Sequence, residues 1–241
     1  MTLALAWYGH LLASGSYSHG VQVWNVETST RLWVGPHPTS IRRVAWSPDG
    51  TQLASCGDDG NLCLWEASGA LIKRWQAHGG AVIGIAWKPD GKQIASVGGR
   101  GNSGEMFVWD VEHGERVQTF VGHPGIIYAV DWSLTEDLLI SGDGDGMLRW
   151  WVVESGQCLR IQEAHQGSIR FLMISPDGHL LASCGDDAAI MMWDLNSGKH
   201  VRTLRCDRPY ERLDITGIKG LTEAQKHTLR SLGAIDIEQK F

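Results

Sequence analysis

The segment His37-Pro38-Thr39-Ser40-Ile41-Arg42-Arg43-Val44-Ala45-Trp46 runs straight into Ser47-Pro48-Asp49-Gly50. Residues 40–46 alternate and are rich in β-formers, which predicts a strand. Pro48 presets φ and Gly50 supplies a positive φ, so the chain turns there. Residues 52–55 predict a second strand, Gly57-Asp58-Asp59-Gly60 a second turn, 61–65 a third strand and 71–76 a fourth. The unit is therefore a four-stranded antiparallel meander of about 40 residues.

The unit recurs. Its leading histidines, His37, His78, His123 and His165, are spaced 41, 45 and 42 residues apart. Ile41, Val82, Ile127 and Ile169 stand four positions after them, and Trp46, Trp87, Trp132 and Ile174 nine after. The first turn returns as Lys88-Pro89-Asp90-Gly91 and Ser175-Pro176-Asp177-Gly178, and in looser form over 133–137. Trp24, Trp65, Trp109, Trp151 and Trp193 mark the third strands. A truncated copy precedes them: residues 3–7 match the strand leading to Trp46, with no histidine before it and a turn two residues shorter. A period of this length with four short strands per unit is the signature of a propeller blade. The expected fold is all-β, a β-propeller of about five four-stranded antiparallel blades. The units fall at about 1–36, 37–77, 78–122, 123–164 and 165–204, and a separate tail at 205–241.

Polar residues also recur at fixed offsets: His37, Ser55, Asp59 and Trp65; His123, Ser141, Asp145 and Trp151; His165, Ser183, Asp187 and Trp193. Serine, histidine and aspartate together suggest a hydrolytic triad. A nucleophile, however, needs a strained exposed position and an oxyanion hole, and an enzyme needs one such site rather than three. Buried polar groups that must find partners explain the repetition better.

Trp109-Asp110 and Trp193-Asp194 end third strands, and Ala77-His78 and Gly122-His123 open units. With these residues the chain resembles the WD-repeat β-propeller family over residues 3–204. The resemblance implies a hydrogen-bond chain in each blade, from Trp through Ser and His to Asp, bracing the inter-strand loops. In units three and one the Asp position holds Ser103 and Ser18, so those blades are expected to be less rigid. The glycine-rich segment 98–104 reads as a loop, either drifted at a tolerant tip, the preferred reading, or adapted to a ligand. The family commonly closes with seven blades, so about five leave three outcomes: closure with five, completion by another chain, or an open arc with the tail over one flank and prone to association; an arc incomplete relative to seven is the expected one.

Family members usually meet ligands around the central channel. The residue five after each His, and the residue before each turn Asp, are expected there: Arg42, Ile83, Tyr128 and Arg170, with Asp58, Asn102, Gly144 and Asp186. Arg42, Asp58, Arg100, Tyr128, Arg170 and Asp186 form the candidate partner-binding face, whose Arg, Tyr and Asp suit a protein or peptide. Trp33, Trp75 and Trp150 fall outside the repeat rule and are read as blade packing.

Composition narrows the partners. Of 241 residues 43% are hydrophobic and 20% charged, enough to bury a core. Lys and Arg number 21 against 27 Asp and Glu, a net charge of −6, which disfavours nucleic acid and anionic membrane. No apolar run reaches 18 residues, and the apolar N-terminus lacks a basic start and cleavage site, so it reads as a strand rather than a signal peptide. Five cysteines with no CxxC pair predict free thiols, a cytoplasmic setting and no zinc. Neither a phosphate-binding loop nor a calcium loop occurs, so no cofactor or metal is expected.

The tail breaks the repeat. Arg208-Pro209-Tyr210-Glu211-Arg212 to Gly217 reads as coil with a short strand, and Thr222-Glu223-Ala224-Gln225 as a capping box opening a helix that ends near Gly233. These residues, with Gly220-Leu221 and Leu232-Gly233-Ala234, are similar to the C-terminal end of WD-repeat arrays in bacterial STAND-type signal-transduction NTPases. That likeness implies a sensor or scaffold working through protein–protein interaction in signal transduction. Two further readings stand beside it: a self-assembly module completing its ring with another chain, and an enzyme using the propeller channel.

Overall fold

The computed structural model describes residues 4–17, 20–101, 103–205, 213–232 and 234–235. Among them twenty strands form five separate four-stranded antiparallel sheets, each with its strands adjacent in chain order. The first sheet holds β1 (Ala4–Tyr8), β2 (Leu11–Gly15), β3 (Val21–Asn25) and β4 (Thr30–Gly35). The second holds β5 (Ile41–Trp46), β6 (Gln52–Gly57), β7 (Asn61–Glu66) and β8 (Leu71–Gln76). The third holds β9 (Ala81–Trp87), β10 (Gln93–Arg100), β11 (Ser103–Asp110) and β12 (Arg116–Phe120). The fourth holds β13 (Ile127–Trp132), β14 (Leu138–Asp143), β15 (Met147–Val152) and β16 (Cys158–Glu163). The fifth holds β17 (Ile169–Ile174), β18 (Leu180–Gly185), β19 (Ala189–Asp194) and β20 (His200–Arg205). The truncated first copy thus still builds four strands.

The innermost strands pack in succession, β1 on β5, β5 on β9, β9 on β13 and β13 on β17. All five contribute to one cavity of about 720 Å³, through Leu5, Arg43, Ile85, Val130 and Phe171 among others. The sheets are therefore blades around a shared channel. Apolar cores fill the four junctions between successive blades; Val21, Val23, Ile41 and Trp46 share one, and Leu148, Ile169, Leu172 and Trp193 another. Because second and third strands of the inner blades are covered on both faces, they read as near-continuous apolar runs, such as Leu62-Cys63-Leu64-Trp65. The outermost strands, as in β8 and β20, remain largely exposed.

Hydrogen bonds across the junctions fix the stacking. The Trp87 indole donates to the Ala45 carbonyl at 3.0 Å and the Trp132 indole to that of Ala86 at 2.9 Å. Ile174 has no indole; its backbone N–H instead donates to the Asp131 carboxylate at 2.9 Å. Trp33 and Trp150 donate to the Ala67 and Leu195 carbonyls of the next blade, and Trp75 lies 6.2 Å from Trp109, ring centre to centre.

Segment 98–104 differs from the expected loop. β10 and β11 pair through Gly98↔Glu105, Gly99↔Gly104 and Arg100↔Ser103, so the extra residues lengthen a hairpin. A Cβ on Gly98 would sit 2.1 Å from the Ala81 carbonyl oxygen; glycine there lets β10 follow β9 past a register shift between Val97 and Gly98.

By contact the chain divides into Met1–Thr203 and Leu204–Phe241. In the second unit α1 (Glu223–Ser231) carries the reciprocal capping box of Thr222 and Gln225. The short strand expected before it is an isolated parallel bridge, Asp214↔Ile235. Residues 208–212 and Gly233 lie outside the described residues, as do Ser18, Asn102 and Cys206. No helix among the described residues is long and apolar enough to cross a membrane.

Candidate docking face

The recurring polar sets are inside the blades, and they differ from one another. In the fifth blade the Trp193 indole donates to Ser183 Oγ at 2.9 Å, His165 Nε2 lies 2.7 Å from the same oxygen, and Nδ1 lies 2.9 Å from Asp187. A carboxylate only accepts, so Nδ1–H donates to Asp187; in the neutral ring Nε2 then accepts the Ser O–H, while the Ser oxygen accepts from the indole.

The fourth blade uses a different carboxylate. Trp151 donates to Ser141 at 2.8 Å and His123 Nε2 is 2.7 Å from it, but Nδ1 faces Asp143 at 3.0 Å rather than Asp145. Asp143 ends β14 at the place that Gly185 takes in the fifth blade, where a Cβ would press on the His165 ring. Its carboxylate also takes Arg149 and the backbone N–H groups of Asp145 and Met147. Burial pushes Asp143 up, yet the hydrogen bonds from His123, Met147 and Arg149 together hold it below the usual carboxylate range.

In the second blade the expected chain is broken. Trp65 donates to Ser55 at 2.9 Å, but His37 Nε2 approaches Cys63 Sγ at 3.8 Å and Nδ1 is buried without a partner. Asp59 is held by Asn61 and Arg74 instead, while Thr39 Oγ1 accepts from the Asp59 backbone N–H. The third blade is the reverse case. His78 bridges Ser96 at 2.7 Å and Glu105 at 3.0 Å, and Trp109 donates to Ser96 at 2.8 Å. The longer hairpin brings Glu105 to the role expected at Ser103; a glutamate on a strand gave no spacing signal.

Burial lowers the pKa of His78 and of His123, against the pull of their carboxylates. Ser55, Ser96, Ser141 and Ser183 are all buried, so none can meet a substrate as a nucleophile. Among the described residues no three His, Cys, Asp or Glu side chains converge as metal ligands.

Accessible chemistry lies at one end of the channel. Arg42, Ile83, Tyr128 and Arg170 surround a cavity of about 400 Å³, with Ala4, Leu5, Ala81 and Arg43 completing its wall. Arg42 forms a two-point ion pair with Asp58 (2.5 and 3.2 Å), and Arg170 with Asp186 (2.7 and 2.8 Å). The Arg170 guanidinium also stacks 4.7 Å from the centre of the Tyr128 ring. Gly144 adjoins Tyr128, whereas Arg100, at its hairpin tip, does not line the cavity.

Arg43 was not among the expected residues. Its guanidinium lies 4.4 Å from the centre of the Phe171 ring across the channel, and burial lowers its pKa. No carboxylate among the described residues is within ion-pair distance of it. Its signal was available: the same repeat position holds Gly84, Ala129 and Phe171 elsewhere, so a charge there is out of pattern.

Five meander blades around a channel, the third, fourth and fifth pinned by Trp–Ser–His–carboxylate chains, define a repeat propeller. The WD domain, G-beta repeat pattern matches residues 29–66, 69–110, 114–152 and 156–194, and the chain belongs to that family. Each matched unit takes the outermost strand of one blade and three strands of the next, so the sequence repeat itself interlocks neighbours.

Curated relatives include small ribosomal subunit protein RACK1y of Oryza sativa, 30% identical over 57% of this chain and 42% of its own length. WD repeat-containing protein slp1 of Schizosaccharomyces pombe is 29% identical over 48% of this chain and 24% of its own. Probable cytosolic iron-sulfur protein assembly protein 1 of Kluyveromyces lactis is 34% identical over 27% and 23%. The chain thus spans less than half the length of these relatives.

Proposed function

We propose that this chain is a non-catalytic protein-interaction scaffold that receives an acidic peptide segment of its partner at the Arg42–Arg43–Tyr128–Arg170 cavity. The observation carrying this reading is Arg43. Arg42 and Arg170 are held at ion-pair distance by Asp58 and Asp186, whereas among the described carboxylates Arg43 has only the more distant attraction of Asp131, which leaves its donors open to an incoming carboxylate beside an aromatic and aliphatic floor. Membership in the WD-repeat family supports a scaffold, and several relatives bear the names of parts of larger assemblies, among them anaphase-promoting complex subunit cdc20 of Dictyostelium discoideum. A displayed library of random peptides, selected on the folded chain, tests it. Enriched peptides should carry Asp or Glu and should lose at least about tenfold in affinity to Arg43→Gln and to Tyr128→Ala. Acid-free peptides, or undiminished binding to both variants, would refute it.

The finer reading is that the scaffold serves as the sensor end of a bacterial signalling protein of the STAND type. Its support is the tail sequence around Gly220–Gln225; the relatives named above are eukaryotic and do not bear on it. A cytoplasmic setting fits the free thiols of Cys56, Cys63, Cys158 and Cys184. Sequencing the gene upstream tests the signalling role: a nucleotide-binding domain in the same frame supports it, and an unrelated gene ending there refutes it.

A further inference from the structure

Each junction between blades joins two chemically distinct faces. The trailing face of one blade offers an inward apolar residue on its third strand: Val21, Leu62, Met106 and Leu148, all buried. At two of the four junctions it also offers the carbonyl of the residue preceding the last position of its inner strand, that of Ala45 or Ala86. The leading face of the next blade supplies an aliphatic residue two positions before that last one: Val44, Ile85, Val130 and Leu172, all buried. It supplies the last residue too: Trp46, Trp87, Trp132 and Ile174, all buried.

Among the described residues, two faces of the array lack this cover. On the first blade the leading-face positions are Leu5 and Trp7, which are 56% and 60% exposed. On the fifth blade the trailing-face positions are Met173 and Ile190, 55% and 46% exposed. β17 and β1 do not pack on each other as the other inner strands do. The exposed pair is one leading and one trailing face, the two halves of a junction this molecule makes four times.

We propose that two copies of the chain associate head to tail, the fifth blade of one against the first blade of the other. Trp7 of one copy inserts beside Ile190 of the second and donates its indole N–H to the second copy's Met173 carbonyl, as Trp87 does to Ala45. The contact is heterologous, so the dimer keeps one free face of each kind and assemblies grow with concentration. This inference does not rest on the channel-mouth reading, since it uses none of the cavity arginines, although Leu5 belongs to both surfaces.

Size-exclusion chromatography with light scattering, over a range of concentrations, tests it on the full chain. The wild type should pass from monomer to dimer and larger species at micromolar concentrations. Trp7→Asp and Ile190→Asp should each weaken association by at least about thirty-fold, the loss typical of a central interface anchor. Each variant retains one good face, so an equimolar mixture should recover a dimer that neither forms alone. Recovery also shows that both variants are folded.

A wild type that stays monomeric overturns the proposal, whether the flanks meet within one chain or await a different protein. So does association abolished by Trp7→Asp but untouched by Ile190→Asp, which would indicate a symmetric contact between first blades. If circular dichroism shows either variant unfolded, the milder Trp7→Ser and Ile190→Ser pair replaces them, with the same mixing criterion.

Discussion

At the residue scale, the four polar sets share one logic but not one strength. Ser183 serves two partners in the fifth blade, whereas Ser55 serves Trp65 and not His37. Ser183→Ala strands a buried indole N–H and a buried imidazole nitrogen, which should cost about 2–3 kcal/mol; Ser55→Ala strands the indole alone and should cost about 1 kcal/mol. Urea denaturation of the two variants checks the difference, and equal losses would mean that His37 engages Ser55 after all. His78 and His123 add a pH dependence. Their folded pKa values lie below the ordinary 6.5, so the unfolded chain binds protons more readily. Their contribution is fully present above that value and is lost as pH falls below it. Asp143, held low, adds its loss at still lower pH, as its carboxylate protonates. Urea midpoints should therefore decline steadily from about pH 7 downward. A flat profile to about pH 5 would show that these histidines are not held neutral.

At the element scale, strands are set by junction contacts as much as by pairing within a sheet. Trp87 has the Ala45 carbonyl, but the indole N–H of Trp46 is buried with no acceptor. Both rings fill similar space, so Trp87→Phe should destabilise by about 1 kcal/mol more than Trp46→Phe, as judged by denaturation. The lengthened β10–β11 hairpin offers a second test. Gly98→Ala drives a methyl into the Ala81 carbonyl and should cost more than about 2 kcal/mol. Gly101→Ala meets open space and bears only the strain of a positive φ, about 1 kcal/mol. If both cost the same, the register shift beside Gly98 is absent in solution.

At the scale of the whole molecule, stability in a blade array is a sum of blade and nearest-neighbour terms. The first and fifth blades have one such neighbour each, and the third has two. Amide hydrogen exchange should therefore be slowest in β9–β11 and faster in β1–β3 and β17–β19. Head-to-tail association would raise protection in the first and fifth blades as concentration rises, leaving the third unchanged. Uniform protection across all five blades would contradict a nearest-neighbour array.

The period of the histidines and tryptophans, with Pro-Asp-Gly turns between alternating runs, determined the five blades and the antiparallel order of their strands. Local chemistry sufficed there, because turns and alternation are read over a few residues. The same spacing placed Arg42, Ile83, Tyr128 and Arg170 at equivalent positions, and the fold gathers them at one cavity. What spacing left undecided was partner choice among nearby groups. Asp143 displaces Asp145, Glu105 stands in for an absent aspartate, and His37 turns to Cys63. Each outcome depends on side-chain reach across neighbouring strands in three dimensions. The exposure of Trp7 and Met173 is likewise a property of the packed array: in sequence they look like any other member of their repeat positions, and only the lack of a neighbour sets them apart.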